Sequence, residues 1–335
     1  MPSPASAATP RPAPMDPAVA VDPAAAAPQL QELRDAVTKV FVGKPDVVDY
    51  FIVALLARGH VLLEDVPGVG KTTLAKALSR AVDASFQRIQ CTPDLLPSDI
   101  SGTHIYNQKT GEFELRPGPI FANFVLADEI NRATPRTQSA LLEAMEEGTV
   151  TLDRDTIALP PVFMVIATQN PIEYQGTYAL PEAQKDRFLM RLTLGYLDAA
   201  REIEMMDQQA MVHPLELEEP VMGLDQLGLL QDVVRRVFVD PKIKDYIVRL
   251  VNQTRRDPQV QLGASPRGSL GLLHAAQALA LLRGRDFVQP GDVKEMAIPV
   301  LAHRLILRGT GQRGAGASIA FVRELLKTVP PVAAG

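Results

Sequence analysis

The sequence predicts an α/β fold in which a parallel sheet lies between helices, followed by an all-helical domain. As far as about residue 196, short apolar runs alternate with helical patterns. Such alternation is typical of a mostly parallel sheet that binds ligands at the carboxyl ends of its strands. After about Leu197 the strand signal disappears, and only helical patterns follow. The chain is therefore predicted to have a sheet domain at 30–196 and a helical domain at 197–335.

The sheet domain opens with two amphipathic helical patterns, near residues 30–40 and 45–58. Apolar runs then predict its strands, at 61–64, 86–89, 121–127, 162–168 and 188–194. In the second domain, helical spacing of apolar residues occurs at 199–211, 224–237, 241–256, 267–283, 290–303 and 317–328.

Residues 1–29 differ from the rest of the chain, with 10 Ala, 8 Pro and few charged side chains. Such a stretch cannot bury a core, so we expect a disordered tail. It lacks the basic segment and unbroken apolar run of a secretory signal. The remaining sequence holds no apolar run of about 20 residues, the length that a membrane-spanning helix needs. The expected location is therefore the cytoplasm.

Composition and charge narrow the classes of function. The 335 residues, 46% of them hydrophobic, suffice for two folded domains with sizeable cores. A formal charge of −5 argues against a dedicated nucleic-acid or anionic-membrane binder. The lone cysteine, Cys91, excludes an intramolecular disulfide, and the five histidines show no metal-ligand spacing. We expect no transition-metal site.

The most informative segment is a glycine-rich turn between the first predicted strand and a helix. Gly68 and Gly70 allow backbone N–H groups to face an anion, and the helix that opens near Lys71 directs its positive dipole end to the same point. Lys71 is expected to reach the β- and γ-phosphates of a nucleotide, and the Thr72 hydroxyl to bind Mg²⁺. The pattern G-x-x-x-x-G-K-[ST] requires Gly where this chain has Asp65. The alternative is a strand-turn-helix that uses Gly only for its turn. The predicted nucleotide-binding set is Pro67, Gly68, Val69, Gly70, Lys71, Thr72 and Thr73.

Polar residues follow two further predicted strands. Asp128 would hold Mg²⁺ with its water shell, and Glu129 would deprotonate the attacking water. Alone, these acids fit the N-terminus of a helix equally well, but the upstream phosphate-binding loop favours nucleoside triphosphate hydrolysis. Asn170 is a candidate for positioning the water, with an Asn-Pro turn as the alternative. Arg187 is a candidate cation for the transferred phosphoryl group, with a surface pair to Asp186 as the alternative.

Several longer runs resemble one known family. The run from Asp128 to Ala133, continued by Gln138 to Met145, closely resembles the MoxR group of AAA+ ATPases. Residues 167–171, 176–178 and 187–188 are similar to the same group, and the resemblance extends from about Val42 to the last helices. It implies an αβα ATPase core with a parallel sheet and a helical lid, assembled into a homo-oligomeric ring, usually of six subunits.

The resemblance also implies a role for each matching residue. Lys71 and Thr72 correspond to the Walker A motif, and Asp128 and Glu129 to the Walker B motif. The remaining correspondences are Asn170 as sensor 1, Arg187 as the arginine finger, Arg267 as sensor 2, and Val42 with Gly43 as the adenine-contacting segment.

Two of these assignments leave alternatives open. Arg132 and Arg136 lie at a nearby helix start and could also face a subunit interface, so either is a competing finger. Arg267 could act on the nucleotide of its own subunit or on that of a neighbour. By analogy with other arginine fingers, Arg187 acting in trans would raise turnover by roughly 10³ to 10⁵.

Two hairpin signals lie within the core, at about 101–119 and 149–159. The first resembles the helix-2 insert of this clade, and the second the insert before sensor 1. In a ring such loops point toward the pore or one face, where they could grip a client protein. Solvated hairpins that only brace the sheet are the alternative.

The sequence thus predicts a cytoplasmic, Mg²⁺-dependent ATPase that uses ATP hydrolysis to remodel or mature a partner protein. The resemblance further implies a client or adaptor with a von Willebrand A domain and a role in assembling a metal-containing enzyme complex. One alternative is a nucleic-acid motor, which the acidic total and the lack of a basic, aromatic track disfavour. The other is a nucleotide-gated scaffold with little turnover.

Overall fold

The structure, a computed structural model, describes residues 23–153, 155–170, 177–209, 215, 219–309 and 315–331. The disorder predicted for residues 1–22, the hairpin tip at Arg154 and the resemblance at Gly176 lie outside the described residues. In the part that is described, a sheet domain is followed by a mostly helical lid.

Strands and helices alternate along the first part of the chain. In chain order the strands are β1 (Val61–Glu64), β2 (Phe86–Gln90), β3 (Gly102–Asn107), β4 (Glu112–Pro117), β5 (Phe124–Asp128), β6 (Thr149–Leu152), β7 (Asp155–Ala158), β8 (Met164–Gln169), β9 (Met190–Leu192), β10 (Val260–Leu262) and β11 (Ile306–Leu307). The helices are α1 (Pro23–Val40), α2 (Pro45–Leu56), α3 (Lys71–Ala81), α4 (Pro97–Ser101), α5 (Pro135–Glu147), α6 (Glu182–Lys185), α7 (Ala199–Gln209), α8 (Leu224–Val234), α9 (Pro241–Arg256), α10 (Pro266–Leu282), α11 (Pro290–Leu301) and α12 (Ala315–Thr328).

The central sheet is parallel throughout, with the strand order β2-β5-β8-β1-β9. β1, β5 and β8 are buried on both faces, which explains their nearly continuous apolar sequences. Successive side chains of a strand point to opposite faces, so Leu62 packs in one buried cluster and Leu63 in the other. The carboxyl ends of all five strands therefore meet at one edge, which confirms the predicted α/β fold.

Two strands differ most from their predicted ranges. The apolar run at 121–127 forms a strand only from Phe124, because residues Pro119–Phe121 form a 3₁₀ turn. The run at 188–194 is a strand only over Met190–Leu192. Ala122 in the first run, and Phe188, Leu189 and Leu194 in the second, are buried outside the ladder, so hydropathy alone overestimates the strand length.

The predicted boundary of the tail at residue 29 is corrected, because α1 already begins at Pro23. Alanine has the highest helix propensity, and the Ala-rich stretch continues directly into the amphipathic pattern that follows. Ala26 and Leu30 are fully buried in the larger core cluster. The high content of Ala and Pro indicated disorder, whereas the helix and the burial of Ala26 make residues 23–29 part of the fold.

Both predicted hairpins are present. β3 pairs with β4, and β6 with β7, each in antiparallel register. In the first hairpin, Tyr106 and Phe113 are neighbours with ring centroids 5.3 Å apart, and both are more than half exposed. The two hairpins meet where His104 Nδ1 lies 3.2 Å from Asp153 Oδ2. Aromatic side chains are thus presented on an exposed part of the sheet domain.

The lid contains α7 to α12 and a small antiparallel ribbon, β10 with β11, which the sequence analysis did not predict. These strands have two or three residues each, too few for an alternating pattern to be visible. Among the helices that the structure describes, none has the length and hydropathy required to cross a membrane.

A buried arginine joins the lid to the sheet domain. Arg304, whose side chain is 3% exposed, donates from Nε to Asp186 Oδ1 over 2.8 Å. It also donates to the backbone oxygens of Phe188 and Leu189. Burial lowers the pKa of Arg304 to about 10 against the opposing effect of Asp186, so the guanidinium stays charged at neutral pH. Asp186 accepts a second bond, 2.7 Å long, from Ser265 Oγ at the start of α10.

Replacing Arg304 tests whether this joint supports the fold. Arg304→Met should lower the free energy of unfolding by about 3–5 kcal/mol, because it leaves the carboxylate of Asp186 without its buried partner. Denaturant unfolding followed by circular dichroism measures the change. Lys327→Met is the control, since both members of the Lys327–Glu324 pair on α12 are well exposed and the pair should contribute no more than about 0.5 kcal/mol. Equal, small losses in the two variants would contradict the assignment.

Candidate functional site

The turn between β1 and α3 has the backbone of a phosphate-binding loop. Gly68 and Gly70 have φ angles of 83° and 89°, in the left-handed region that disfavours side chains. A Cβ at Gly68 would meet nothing within 4 Å, so the backbone angle alone requires glycine there. α3 begins at Lys71, directly after Gly70. The helix N-terminus and its free N–H groups therefore face the turn.

A cleft of about 430 Å³ opens beside this turn. It brings together most residues that the sequence predicted for phosphate and water, and it adds Arg88 and Gln90, which were not predicted. The lining residues are Pro67, Gly68, Gly70, Lys71, Thr72, Thr73, Arg88, Gln90, Asp128, Glu129 and Asn170.

Thr168, at the end of β8, orients the two acids that follow β5. Its hydroxyl donates to Asp128 Oδ1 over 2.6 Å and accepts from the backbone N–H of Glu129 over 2.8 Å. Glu129 has a φ of 56°, an uncommon angle for a residue with a side chain, at the point where the chain leaves the strand. Asn170 follows β8, is 7% exposed and lines the same cleft. Both carboxylates and the amide thus lie at one edge of the sheet.

Each of the two acids also pairs with an arginine. Arg88 on β2 donates from Nε to Asp128 Oδ2 over 3.1 Å, and its Nη2 bonds to the same oxygen. Arg132 Nη1 donates to Glu129 Oε2 over 3.0 Å. Gln90 connects the pairs, since its Oε1 accepts from Arg88 over 2.7 Å and its Nε2 donates to Glu129 over 3.3 Å. Each of the two carboxylates at this edge of the cleft is therefore paired with a cationic side chain.

Lys71 Nζ donates to the backbone oxygen of Asp65 over 3.0 Å. Burial lowers the pKa of Lys71, while the nearby carboxylates of Asp128, Asp65 and Glu129 act in the opposite direction. The ammonium group thus donates to a neutral backbone oxygen and lies near three carboxylates. Such a group gains strongly from a phosphate in its reach.

The side chain of Asp65 explains the departure from the glycine pattern. Its Oδ1 accepts from the backbone N–H of Val66 over 2.9 Å, and its Oδ2 accepts from that of Gly195 over 2.7 Å. Asp65 is buried, so both bonds are protected from water. It therefore fixes the start of the phosphate-binding turn to the segment that leads from β9 into the lid.

A second cleft, of about 310 Å³, shares Gly68, Gly70 and Thr73 with the first. Its other lining residues come from the end of α1 and the residues after it, from the turn itself, and from the segment that enters the lid together with α7. They are Val40, Phe41, Val42, Val69, Gly195, Tyr196, Leu197, Glu202 and Met205. Two largely apolar walls on the far side of a phosphate-binding turn suit the base and ribose of a nucleotide.

Of the two residues predicted to contact the base, one lines this second cleft and the other does not. Val42 lines it, whereas Gly43 does not and instead faces Phe41, whose ring a Cβ at Gly43 would meet at 2.1 Å. Gly43 therefore allows the Phe41 ring to pack. Tyr196, Leu197 and Met205 were not predicted, because residues about 130 positions beyond the turn carry no local signal for this site.

The first cleft, beside the phosphate-binding turn, suits a hard divalent cation that is shared with a nucleotide. Thr72 and Asp128 both line it and supply oxygen donors. Within the described ranges, no group of three or more His, Cys, Asp or Glu side chains could hold a metal ion by itself. Mg²⁺ usually binds through one or two protein oxygens together with water and substrate phosphates, and these residues fit that mode.

Arg187 and Arg267 are not among the residues that line the two clefts. Both pair with one carboxylate, that of Glu146 at the end of α5: Arg187 Nε lies 2.9 Å from Oε2, and Arg267 Nη2 bonds to Oε1. Arg187 precedes β9, whose first residue Met190 pairs with Val61 at the start of β1. The phosphate-binding turn follows the opposite end of β1, and four strand residues separate the two edges by about 10 Å.

Comparisons with known proteins agree with this geometry. Residues 60–190 match the model of the ATPase family associated with various cellular activities (AAA), and residues 252–324 match an AAA lid domain. The uncharacterized protein YeaC of Bacillus subtilis is 53% identical over 302 residues, which cover 90% of this chain and 94% of YeaC.

Two further relatives carry informative names. Chaperone MoxR1 of Mycobacterium tuberculosis is 46% identical over 280 residues, covering 81% of this chain and 74% of MoxR1. The crystal structure of a candidate ATPase from Cytophaga hutchinsonii superposes with a TM-score of 0.84 at 38% identity, covering 91% of this chain and 95% of the other. These relatives agree with the three features of the structure: the phosphate-binding turn, the acidic strand end and the helical lid. The chain therefore belongs to the MoxR family and is an AAA+ ATPase.

Proposed function

We propose that this ATPase is Mg²⁺-dependent and works as a homo-oligomeric ring, of six subunits, that remodels or matures partner proteins in a chaperone-like manner. One observation carries the proposal. The residues for nucleotide and water lie at the carboxyl edge of the sheet, whereas Arg187 and Arg267 are held together elsewhere by Glu146. A chain that presents its arginines away from its own phosphate-binding turn is suited to complete a neighbour's site.

At the phosphate end, each residue has a distinct task. Lys71 and the backbone N–H groups of the glycine-rich turn bind the β- and γ-phosphates. The Thr72 hydroxyl and the Asp128 carboxylate would hold Mg²⁺, which would supply positive charge to those phosphates. Asn170 lies beside the same cleft and positions the attacking water. Val42 contacts the base in the second cleft.

Glu129 accepts the proton of the attacking water. Its backbone N–H is fixed by Thr168, and its carboxylate is held by Arg132 and Gln90. These contacts hold the carboxylate at the edge of the cleft that Asp128 and Asn170 also line.

In a ring, Arg187 would stabilise the charge that develops on the neighbour's transferred phosphoryl group. Arg267 shares Glu146 with Arg187, so we place it at the same interface and assign it to the neighbour's nucleotide as well. Asp186 links them further, since it precedes Arg187 and accepts from Ser265 two residues before Arg267. The lid and the finger would therefore move as one unit.

The partner protein would contact the two hairpins. Tyr106 and Phe113 expose aromatic rings on the first hairpin, and exposed apolar side chains are typical of surfaces that bind other proteins. The relative named chaperone MoxR1 supports a client protein as the object of this work. We further propose that the client or adaptor carries a von Willebrand A domain and that the protein helps to mature a metal-containing complex. Its proposed location is the cytoplasm.

Glu129→Gln tests the hydrolytic assignment. The variant should still bind ATP, because the amide keeps the shape of the carboxylate, but it should release phosphate roughly 10²- to 10⁴-fold more slowly without its general base. Fluorescent-nucleotide titration and a phosphate-release assay measure the two properties. Glu143→Gln, on the exposed face of α5, is the control. An unimpaired rate in Glu129→Gln would contradict the role of Glu129, and a wild-type protein that binds ATP without turnover would indicate the scaffold.

Arg267→Ala tests whether this residue acts across an interface. At a protein concentration that supports full activity, phosphate release should fall by at least about tenfold, because a phosphate-stabilising charge is lost. ATP binding by the dilute chain should not change, since the arginine faces away from the chain's own cleft. Arg256→Ala, at the exposed end of α9, is the surface control. Loss of ATP binding by the dilute Arg267→Ala chain would show that Arg267 serves its own subunit.

A further inference from the structure

Arg88 lies in the cleft beside the phosphate-binding turn, although no sequence motif indicates it. It occupies the middle of β2, an edge strand of the sheet, and its side chain is 49% exposed. It lines the same cleft as Lys71 and Thr72. Gln90, two residues further along β2, points to the same face and accepts a hydrogen bond from Arg88 Nη2. This bond keeps the guanidinium beside the phosphate-binding turn.

In this arrangement Arg88 takes the oxygen of Asp128 that a cation would need. Asp128 Oδ1 is already bonded by the Thr168 hydroxyl, and Arg88 Nε and Nη2 both donate to Oδ2. A divalent cation that approaches Asp128 through the cleft meets a positive charge on that oxygen. Because like charges repel strongly at short distance, Mg²⁺ with its water shell competes with the guanidinium for that oxygen. A loaded cleft therefore favours the release of Arg88 from Asp128.

The displaced guanidinium needs a new anionic partner close by. Glu129 is already paired with Arg132, so the remaining anion of the loaded cleft is the nucleotide. Asp128 and Glu129 mark the end of the cleft where the terminal phosphate of a triphosphate lies. A guanidinium presents its N–H groups in a planar fork that matches two phosphate oxygens.

We propose that Arg88 is a second phosphate-binding cation of this site, which exchanges the carboxylate of Asp128 for the terminal phosphate of ATP when magnesium and nucleotide bind. This inference rests on the proposed ATPase function and adds a residue within a subunit to the arginines expected from a neighbour. ADP lacks the γ-phosphate, so it gives Arg88 no comparable partner at that end of the cleft. Arg88 therefore contributes to the preference of the free chain for ATP over ADP.

Nucleotide binding without turnover tests this role. The affinities of wild type, Arg88→Gln and Arg88→Lys for ADP and for the non-hydrolysable β,γ-imido analogue of ATP are measured by calorimetry in excess Mg²⁺. Arg58→Gln is a matched control, because Arg58 is 38% exposed, donates to Gln231 and Asp232, and lies outside both clefts. Circular dichroism melts compare the folding of all four proteins.

Arg88→Gln should lose roughly 10- to 100-fold in affinity for the ATP analogue, the effect expected for charged hydrogen bonds, with little change for ADP. Arg88→Lys should keep part of the preference because it keeps the charge, and Arg58→Gln should match wild type. Equal effects on both nucleotides, or no effect, would show that Arg88 is only a structural partner of Asp128 and overturn the inference while leaving the ATPase intact. A wild-type protein that binds neither nucleotide would overturn the proposed function itself and this inference with it.

Discussion

The site depends on the parallel alignment of β5, β8 and β1. Their backbone ladders fix Leu126 beside Ile166, and Ile166 beside Val61. Since each strand then ends at the same edge, the residues that follow must gather there: the glycine-rich turn, the two acids and Asn170. Thr168 strengthens this alignment by bonding both Asp128 and the backbone of Glu129. A slip of one residue in β8 would turn that hydroxyl to the other face.

The same alignment keeps Arg187 away from its own phosphate-binding turn. Arg187 precedes β9 and therefore lies at the amino edge of the sheet, where Glu146 holds it together with Arg267. The buried pair of Arg304 and Asp186 connects this edge to the lid. At the opposite edge, Asp65 connects the phosphate-binding turn to the segment that enters the lid. The lid is thus attached at both edges of the sheet, which provides a physical route for nucleotide binding to affect the arginines.

How far the sequence predicts this arrangement depends on how local each signal is. The phosphate-binding turn and the acids after β5 are contiguous motifs, and the structure brings them into one cleft. Arg88 and Gln90 are different, because in β2 they appear as polar positions of an edge strand, and only its pairing with β5 places them beside Asp128.

Other features depend on contacts between distant parts of the chain. Asp65 appeared as a departure from a pattern, since its partner at Gly195 is remote in sequence. The start of α1 at Pro23 depends on burial of Ala26 and Leu30 against the core, which composition cannot indicate. Likewise, Glu146 gave no signal of its own, because its two arginine partners come from different domains.

The central claim, that one subunit's arginine completes another subunit's site, is tested most directly by mixing two inactive variants. Lys71→Ala removes a phosphate ligand but keeps Arg187, and Arg187→Ala has the reverse defect. If the site is shared, an equimolar mixture should recover activity, up to about one quarter of the wild-type rate when the subunits assemble at random around a ring. A mixture no more active than the average of the two variants would contradict the account, because each subunit would then complete its site alone.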